Sequence, residues 1–298
     1  MARQGTRSEE VEVKPPRPAD EELDLFGITH PGKVRVENQD HFLVCTVHPQ
    51  VVIHGTSLPQ PEALPLRGTR LATLLVVADG VGGAASGSDA ARLATETITR
   101  YVSSTLRCYH AAGAAGDDEF LDALNAATLE AHERVRAEAA QRIGQKQMAT
   151  TLTVSITVWP WMYIVQVGDS RAYLSLNGKL SQLTRDQTIG QDLVDQGVLP
   201  RERLDRSPFK NVLSSAVGGE EALPEVTRLN MSDRASLVML CSDGLTKHVS
   251  DDEIGAVLAK VKSSEQAARD LLDLALSRGG SDNITIVVAH AQMRDRKA

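Results

Sequence analysis

The chain has 298 residues, which is enough for one large domain or two ordinary ones. Hydrophobic residues make up 42% and charged residues 24%, the balance of a folded globular protein; a net charge of −7 argues against nucleic-acid binding, which needs clustered Lys and Arg. The sequence has no run of about 18 apolar residues, so it predicts no membrane-spanning helix.

The first part of the chain predicts a tail followed by strands. Residues 1–22 are rich in charge and proline, which is typical of a disordered tail. Apolar runs at 23–30 and 41–47 predict two strands, and the segment 48–70, with several prolines and glycines, predicts a surface loop. A continuous apolar run then ends at Asp79, which indicates a strand buried on both faces.

Two helices and a hairpin follow. Apolar residues at helical spacing predict helices at 88–107 and 119–140. Strict alternation of apolar and polar residues over 151–158 and again from 163 to 167 predicts two antiparallel strands, joined by a compact turn at 159–161.

The last part of the chain contains a polar, proline-containing segment at 198–210, for which we expect mobility and a role as a flap over the substrate site. A loop is predicted between residues 219 and 235. The other predicted elements are strands at 171–176, 236–241 and 283–290, a turn at 177–178, and helices at 188–197, 251–261 and 264–277.

The order of these elements predicts the fold class. Strands, two helices, many strands, two helices and a final strand show no regular βαβ alternation, which argues against a doubly wound parallel sheet. We expect an α+β domain over residues 23–294, a four-layer α-β-β-α sandwich of two antiparallel sheets flanked by helix pairs.

Aspartates at the ends of apolar runs are the candidate functional residues. Asp79, Asp243 and Asp282 each stand beside glycine or asparagine, and Asp40 and Asp169 have similar surroundings. An Asp-Gly pair after a strand is often only a turn. As a set, however, five such carboxylates indicate a site for hard cations such as Mg²⁺ or Mn²⁺, and the lack of histidine at metal-ligand spacing argues against zinc.

Five segments in order give this pattern a specific resemblance. VRVENQD, VVADGVGG, VGDSR, CSDGLT and SDNIT resemble the motif series of the metal-dependent serine/threonine protein phosphatases, the protein phosphatase 2C family, in its bacterial form. The resemblance extends from about residue 23 to 291. It implies a sandwich of two antiparallel sheets and a phosphatase that hydrolyses phosphoserine and phosphothreonine through direct attack by a metal-bridging hydroxide.

The resemblance also implies roles for individual residues. Two Mn²⁺ or Mg²⁺ ions would be bound at the site, with a possible third, weaker one. The implied metal ligands are Asp79, the Gly80 carbonyl, Asp243 and Asp282, with Asp169 at the third site; Asp40 would hold metal-bound waters and Arg35 would bind the substrate phosphate. Three positions depart from the usual motif residues, namely Gln39, Val81 and Gln187.

The resemblance implies phosphorylated proteins, the products of a serine/threonine kinase in a signalling pathway, as partners. We also expect a monomer that binds neither nucleic acid nor membrane. Three cysteines without paired spacing predict reduced thiols and a cytoplasmic location. One alternative hypothesis is a catalytically weak or silent phosphoprotein-binding regulatory module on the same fold. A third is a nucleotide hydrolase, which would prefer ATP to a phosphoprotein.

Overall fold

A computed structural model provides the structure of the protein. It describes residues 17–50, 52–53, 60, 66–82, 85–112, 117–142, 148–231, 236–260 and 262–291. Within these residues, no helix combines the length and the apolar character needed to cross a lipid bilayer.

The described residues form strands, helices and two short 3-10 helices. The strands are β1 (Leu23–His30), β2 (His41–Val47), β3 (Ala72–Ala78), β4 (Gly80–Val81), β5 (Ala149–Thr150), β6 (Leu152–Val158), β7 (Trp161–Val167), β8 (Arg171–Leu176), β9 (Lys179–Gln182), β10 (Glu225–Asn230), β11 (Ser236–Cys241) and β12 (Ile284–Ala291). The helices are α1 (Ala85–Ala112), α2 (Asp117–Gln141), α3 (Ile189–Asp195), α4 (Asp243–Thr246), α5 (Asp251–Leu258) and α6 (Ser264–Ser277). The 3-10 helices are Asp20–Glu22 and Arg201–Arg206.

The strands build two antiparallel five-stranded sheets. One sheet has the order β1-β12-β11-β8-β9, and the other has the order β10-β7-β6-β3-β2. The short strands β4 and β5 pair separately, next to the end of β3. The predicted α+β class with two antiparallel sheets is therefore confirmed.

Three apolar cores hold the layers together. Residues along a strand point alternately to its two faces, so each sheet contributes both to a core with helices and to the core between the sheets. In β3, Leu74 and Val76 pack against α1 and α2, whereas Leu75 and Val77 pack between the two sheets. The other sheet repeats this division, since Met239 of β11 faces the core formed with α5 and α6. The resulting layers are helices, sheet, sheet and helices, which is the predicted four-layer sandwich.

The predicted N-terminal boundary is corrected by the structure. Residues 1–16 of the expected tail and residues 292–294 of the expected domain lie outside the described residues. Residues 17–22 instead belong to the fold, because the buried side chain of Arg70 donates to Asp20 Oδ1 at 2.5 Å and to the Pro18 carbonyl at 2.7 Å. A buried guanidinium needs such partners, so residues before Leu23 take part in the packing around Arg70.

The loop predicted between residues 219 and 235 is also corrected. Glu225–Asn230 forms β10, an edge strand that pairs with β7. Only Val226 and Leu229 of this strand are half-buried, and the remaining residues are polar and exposed. An edge strand with so few buried positions has a weak apolar pattern, which is why the sequence did not predict it.

Candidate functional site

The five candidate aspartates meet at one edge of the stacked sheets. The register of β2 and β3 brings Asp40, just before β2, beside Asp79, just after β3. The hairpin of β6 and β7 brings Asp169 to the same edge. In the other sheet, the register of β11 and β12 places Asp243 and Asp282 there as well.

A single cleft opens at this edge. It is lined by Arg35, Asp79, Gly80, Asp169, Asp243 and Asp282, which are all the predicted site residues except one. Asp40 is only 4% exposed and lies behind the others. The structure thus brings together residues that are more than 200 positions apart in the sequence.

The backbone of Asp79 is fixed by two threonines of the neighbouring strands. Its amide donates to Thr151 Oγ1 at 3.0 Å, and its carbonyl accepts from the Thr151 amide and from Thr150 Oγ1, both at 2.9 Å. Thr151 Oγ1 also lies 2.7 Å from Ser170 Oγ, next to Asp169. These bonds fix the backbone from which the Asp79 side chain extends into the cleft.

Asp40 is held by two hydroxyl groups of the opposite sheet. Its Oδ2 accepts from Ser242 Oγ and from Thr285 Oγ1, both at 2.7 Å. Burial raises the pKa of Asp40 to about 6, although these two hydrogen bonds favour the ionised form. The other oxygen, Oδ1, is buried and has no hydrogen-bond partner among the described residues.

Two cationic side chains pair with Asp243 and Asp282, the acidic residues next to β11 and β12. The ammonium group of Lys247 lies 2.6 Å from Asp243 Oδ2 and 2.7 Å from Asp282 Oδ2. The guanidinium of Arg35 lies 2.8 Å from Asp282 Oδ1 through Nε. Burial acts to raise the pKa of Asp282, but the hydrogen bonds from Arg35 and Lys247 outweigh it and leave that pKa below its ordinary value.

The loop that carries Arg35 is anchored by Asn283. The side-chain amide of Asn283 donates to the carbonyls of Pro31, at 3.1 Å, and Glu37, at 2.9 Å. Its Oδ1 accepts from the Gln39 amide at 2.9 Å. Arg35 therefore reaches the cleft from a loop that is fixed at both ends to the residue following Asp282.

The remaining carboxyl groups oppose one another's ionisation. Burial raises the pKa of Asp79 well above its ordinary value, and the charges of Asp40, Asp243 and Asp169 raise it further. Burial and the charge of Asp243 raise the pKa of Asp169 to about 8. Burial also raises the pKa of Asp243, although Lys247 opposes this. Such a group of acids can be fully ionised together only if cations balance the charge.

The donor atoms of this site fit hard divalent cations. In the part of the chain that the structure describes, the buried Oδ1 atoms of Asp40 and Asp243 have no hydrogen-bond partner, which is unusual for buried carboxylates. The candidate ligands are all oxygen atoms, as Mn²⁺ and Mg²⁺ prefer. Among the described residues, however, no three His, Cys, Asp or Glu side chains are close enough together to hold a metal ion as they stand. Lys247 occupies the place between Asp243 and Asp282.

Sequence reasoning missed the residues that position the acids. Ser242 and Asn283 are part of the motif segments, but nothing in their spacing indicated hydrogen bonds to Asp40 or to the Arg35 loop. Lys247 was missed because its approach to Asp282 depends on the fold; its separation of four residues from Asp243 was the only local signal.

The departures at two motif positions have different consequences in the structure. Gln187 is 3% exposed; its Oε1 accepts from the Gly168 amide at 2.8 Å and its Nε2 donates to the Leu223 carbonyl at 2.9 Å. Gln187 thus supports the turn before Asp169. Val81 is 40% exposed at the cleft and offers no titratable group there.

Comparison with known proteins places these features in a family context. Residues 59–277 match the sequence profile of the family described as Protein phosphatase 2C. The chain is 34% identical over 222 residues to the serine/threonine protein phosphatase PstP of Mycobacterium tuberculosis, with 73% of this chain and 40% of PstP covered. It is 29% identical over 223 residues to the serine/threonine phosphatase stp of Listeria welshimeri, with 75% of this chain and 86% of that protein covered.

The fold is also similar to a solved structure that contains metal. The catalytic domain of PstP in complex with two manganese ions superimposes with a TM-score of 0.69 and 28% sequence identity, covering 91% of this chain and 99% of that one. The chain matches 40% of the length of the complete PstP protein. The similarity to PstP is therefore a similarity to its catalytic domain.

Proposed function

The chain belongs to the protein phosphatase 2C family, and on this basis we propose that it is a metal-dependent phosphatase of proteins that carry phosphoserine or phosphothreonine. The observation that carries the proposal is the meeting of Asp79, Asp243 and Asp282 with Arg35 in one cleft. Relatives named as serine/threonine phosphatases support the choice of substrate.

Arg35 is the residue that would bind the substrate phosphate. Its side chain is 57% exposed, and its planar guanidinium already binds a carboxylate with two donors, Nε at 2.8 Å and Nη2 at 3.0 Å from the oxygens of Asp282. The same fork of donors fits two oxygens of a phosphate group. Substrate binding would then replace or share the contact with Asp282.

The acidic residues would hold two Mn²⁺ or Mg²⁺ ions. The proposed ligands are Asp79, the Gly80 carbonyl, Asp243 and Asp282, with Asp169 and Asp243 at a weaker third site. When bound, such ions neutralise the charge of a phosphate monoester and lower the pKa of water for attack on phosphorus. The hydrogen bonds to the Asp79 backbone fix the position of the residue that would supply one of these ligands.

Asp40 would orient water at the back of the site. Ser242 and Thr285 both donate to its Oδ2, which leaves the buried Oδ1 as an acceptor without a partner among the described residues. An acceptor of this kind fixes the orientation of a water molecule through its O–H group. Asp40 therefore acts beyond the direct ligands rather than as one of them.

Metal-dependent turnover is the test of the proposed function. With Mn²⁺ added, the protein is expected to hydrolyse a phosphothreonine peptide and p-nitrophenyl phosphate, and chelation should lower both rates at least about a hundredfold. The measurement is phosphate release during Mn²⁺ titration, followed by addition of EDTA and then of excess Mn²⁺.

The same assay separates the alternatives. Binding of the phosphopeptide without turnover at any Mn²⁺ concentration would favour the silent regulatory module. With ATP added to the assay as a third substrate, a preference for ATP over the phosphopeptide would indicate a nucleotide hydrolase. Equal rates with and without EDTA would contradict a metal-dependent reaction.

The proposal extends to partners and location. Phosphorylated proteins would be the partners, because the related phosphatases act on phosphoserine and phosphothreonine according to their names. Cys45 and Cys241 are both free thiols, which supports a reducing compartment such as the cytoplasm. We retain the expectations of a monomer and of no binding to nucleic acid or membrane.

The segment of residues 198–210 is proposed to shape access for protein substrates. It contains the 3-10 helix Arg201–Arg206 and is attached to α3, where the Gly190 amide donates to the Phe209 carbonyl at 2.9 Å. Residues 211–216, which follow it directly, line the cleft. Val198 and Phe209, the latter two residues before Asn211 of the cleft, are exposed, so the segment presents apolar surface.

Replacing residues 198–210 by a short Gly-Ser linker should raise KM for a phosphoprotein on the order of fivefold, because contacts outside the phosphate group are lost. KM for p-nitrophenyl phosphate should stay within about twofold, since this compound is too small to reach the segment. Steady-state kinetics with both substrates provide the comparison. Equal changes in the two KM values would count against a role in substrate access.

A further inference from the structure

Lys247 has no role in the reaction described above, yet it lines the cleft and contacts two of its acidic side chains. It lies at the C-terminal end of the short helix α4, one turn after Asp243. Its ammonium group contacts Asp243 Oδ2 at 2.6 Å and Asp282 Oδ2 at 2.7 Å. Asp243 follows β11 and Asp282 precedes β12, so Lys247 links the end of one strand to the start of the other.

The surroundings of Lys247 are strongly acidic. Its side chain is 26% exposed, while Asp243 and Asp282 are 17% and 19% exposed. At such burial, a charge-assisted contact is screened less than one at the surface. A lysine side chain is ordinarily a cation at neutral pH, and the two carboxylates at 2.6 and 2.7 Å stabilise that charge.

The two oxygens that Lys247 contacts belong to proposed ligands of the divalent ions. One oxygen atom cannot accept a 2.6 Å contact from an ammonium group and also coordinate a divalent ion beside it without bringing two positive charges together. The other oxygen of Asp243, Oδ1, is buried and has no partner among the described residues. Lys247 therefore competes with a divalent ion for Oδ2 of Asp243 and for Oδ2 of Asp282. It leaves Oδ1 of Asp243 available to the ion.

We propose that Lys247 is a tethered counter-ion, which holds Asp243 and Asp282 together in the metal-free protein and is displaced when a divalent cation binds there. The inference rests on the proposed function for the identity of that cation, but not on turnover. It has two consequences. Lys247 weakens binding of the divalent ion, and it stabilises the site when no ion is present.

The test is Mn²⁺ binding and thermal unfolding of the full chain carrying Lys247→Gln. Without the competing charge, isothermal titration with Mn²⁺ alone should show at least about tenfold tighter binding at the affected site than in the wild type. The metal-free melting temperature should fall by several degrees, because Asp243 and Asp282 then repel each other without a counter-ion. Mn²⁺ should consequently raise the melting temperature more in the variant than in the wild type.

Two control variants separate charge from other effects. Lys179→Gln makes the same change on exposed β9, away from the cleft, and should alter neither Mn²⁺ affinity nor stability. Lys247→Arg keeps the positive charge and should keep the weaker Mn²⁺ binding. Unchanged affinity in Lys247→Gln, or no Mn²⁺ binding by the wild-type chain, would overturn the inference. Tighter Mn²⁺ binding with no phosphatase activity would support the inference and contradict the proposed function instead.

Discussion

Replacing Asp79 by asparagine is expected to lower kcat for a phosphopeptide at least about a thousandfold while the domain stays folded. Asparagine preserves the size of the side chain but removes its negative charge and replaces one of its two oxygen atoms by nitrogen. Divalent ions such as Mn²⁺ and Mg²⁺ bind through oxygen, so the amide is a weaker ligand. The backbone of Asp79 is fixed by Thr150 and Thr151, so the local structure does not depend on the carboxylate. Asp243→Asn should have a similar effect. Steady-state kinetics at saturating Mn²⁺ provide the measurement.

Thermal unfolding distinguishes loss of metal from loss of structure in the Asp79→Asn variant. Burial and the charges of Asp40, Asp243 and Asp169 disfavour the ionised form of Asp79. The neutral amide should therefore leave the metal-free melting temperature unchanged or higher, and remove the increase that Mn²⁺ produces in the wild type.

Asp270→Asn, the same change on the exposed face of α6, is the matched control. It should preserve both turnover and the response of the melting temperature to Mn²⁺. Turnover by Asp79→Asn at the rate of this control would contradict the proposed role of Asp79.

Secondary structure was most predictable where the apolar residues of a single segment are sufficient to identify the element. The bounds of α6 (Ser264–Ser277) were predicted correctly, because its apolar residues repeat with the period of a helix. Those of β1 (Leu23–His30) were also predicted correctly, from a short apolar run that ends at a Pro-Gly turn. The edge strand β10 has no such face and was predicted as a loop. Residues 17–22 were assigned to a tail because their order depends on Arg70, about fifty positions away.

The sequence predicted the acidic residues of the site much better than the residues that hydrogen-bond to them. Asp79, Asp243 and Asp282 follow or precede apolar strands, and short polar residues at strand ends can be found locally. The hydroxyl of Thr285 bonds to Asp40 across 245 residues, a contact that only the pairing of sheets creates. The contact of Lys247 with Asp282 has the same origin. Tertiary contacts of this type have no local pattern from which they could have been predicted.

Gly80→Ala should lower phosphatase activity at least about a hundredfold and also reduce stability by a few kcal/mol, because a methyl group has no space at this position. A Cβ atom on Gly80 would overlap the carbonyl group of Gly87 near the start of α1 and would stand 2.7 Å from the Gln39 carbonyl oxygen. All of these neighbours are backbone atoms, so the chain itself would have to shift. The Gly80 carbonyl, a proposed metal ligand, would then move away from Asp79.

Gly255→Ala in α5 is the matched control for Gly80→Ala. Its added Cβ would meet only the Leu180 side chain, at an ordinary contact distance of 3.4 Å, and alanine is favoured over glycine inside a helix. This variant should keep full activity and unfold at the same or a higher temperature. Mn²⁺ titration then separates the two effects of Gly80→Ala: weaker binding at a temperature well below unfolding shows that the carbonyl position matters for the ion. Wild-type Mn²⁺ affinity in a destabilised Gly80→Ala protein would limit Gly80 to a packing role.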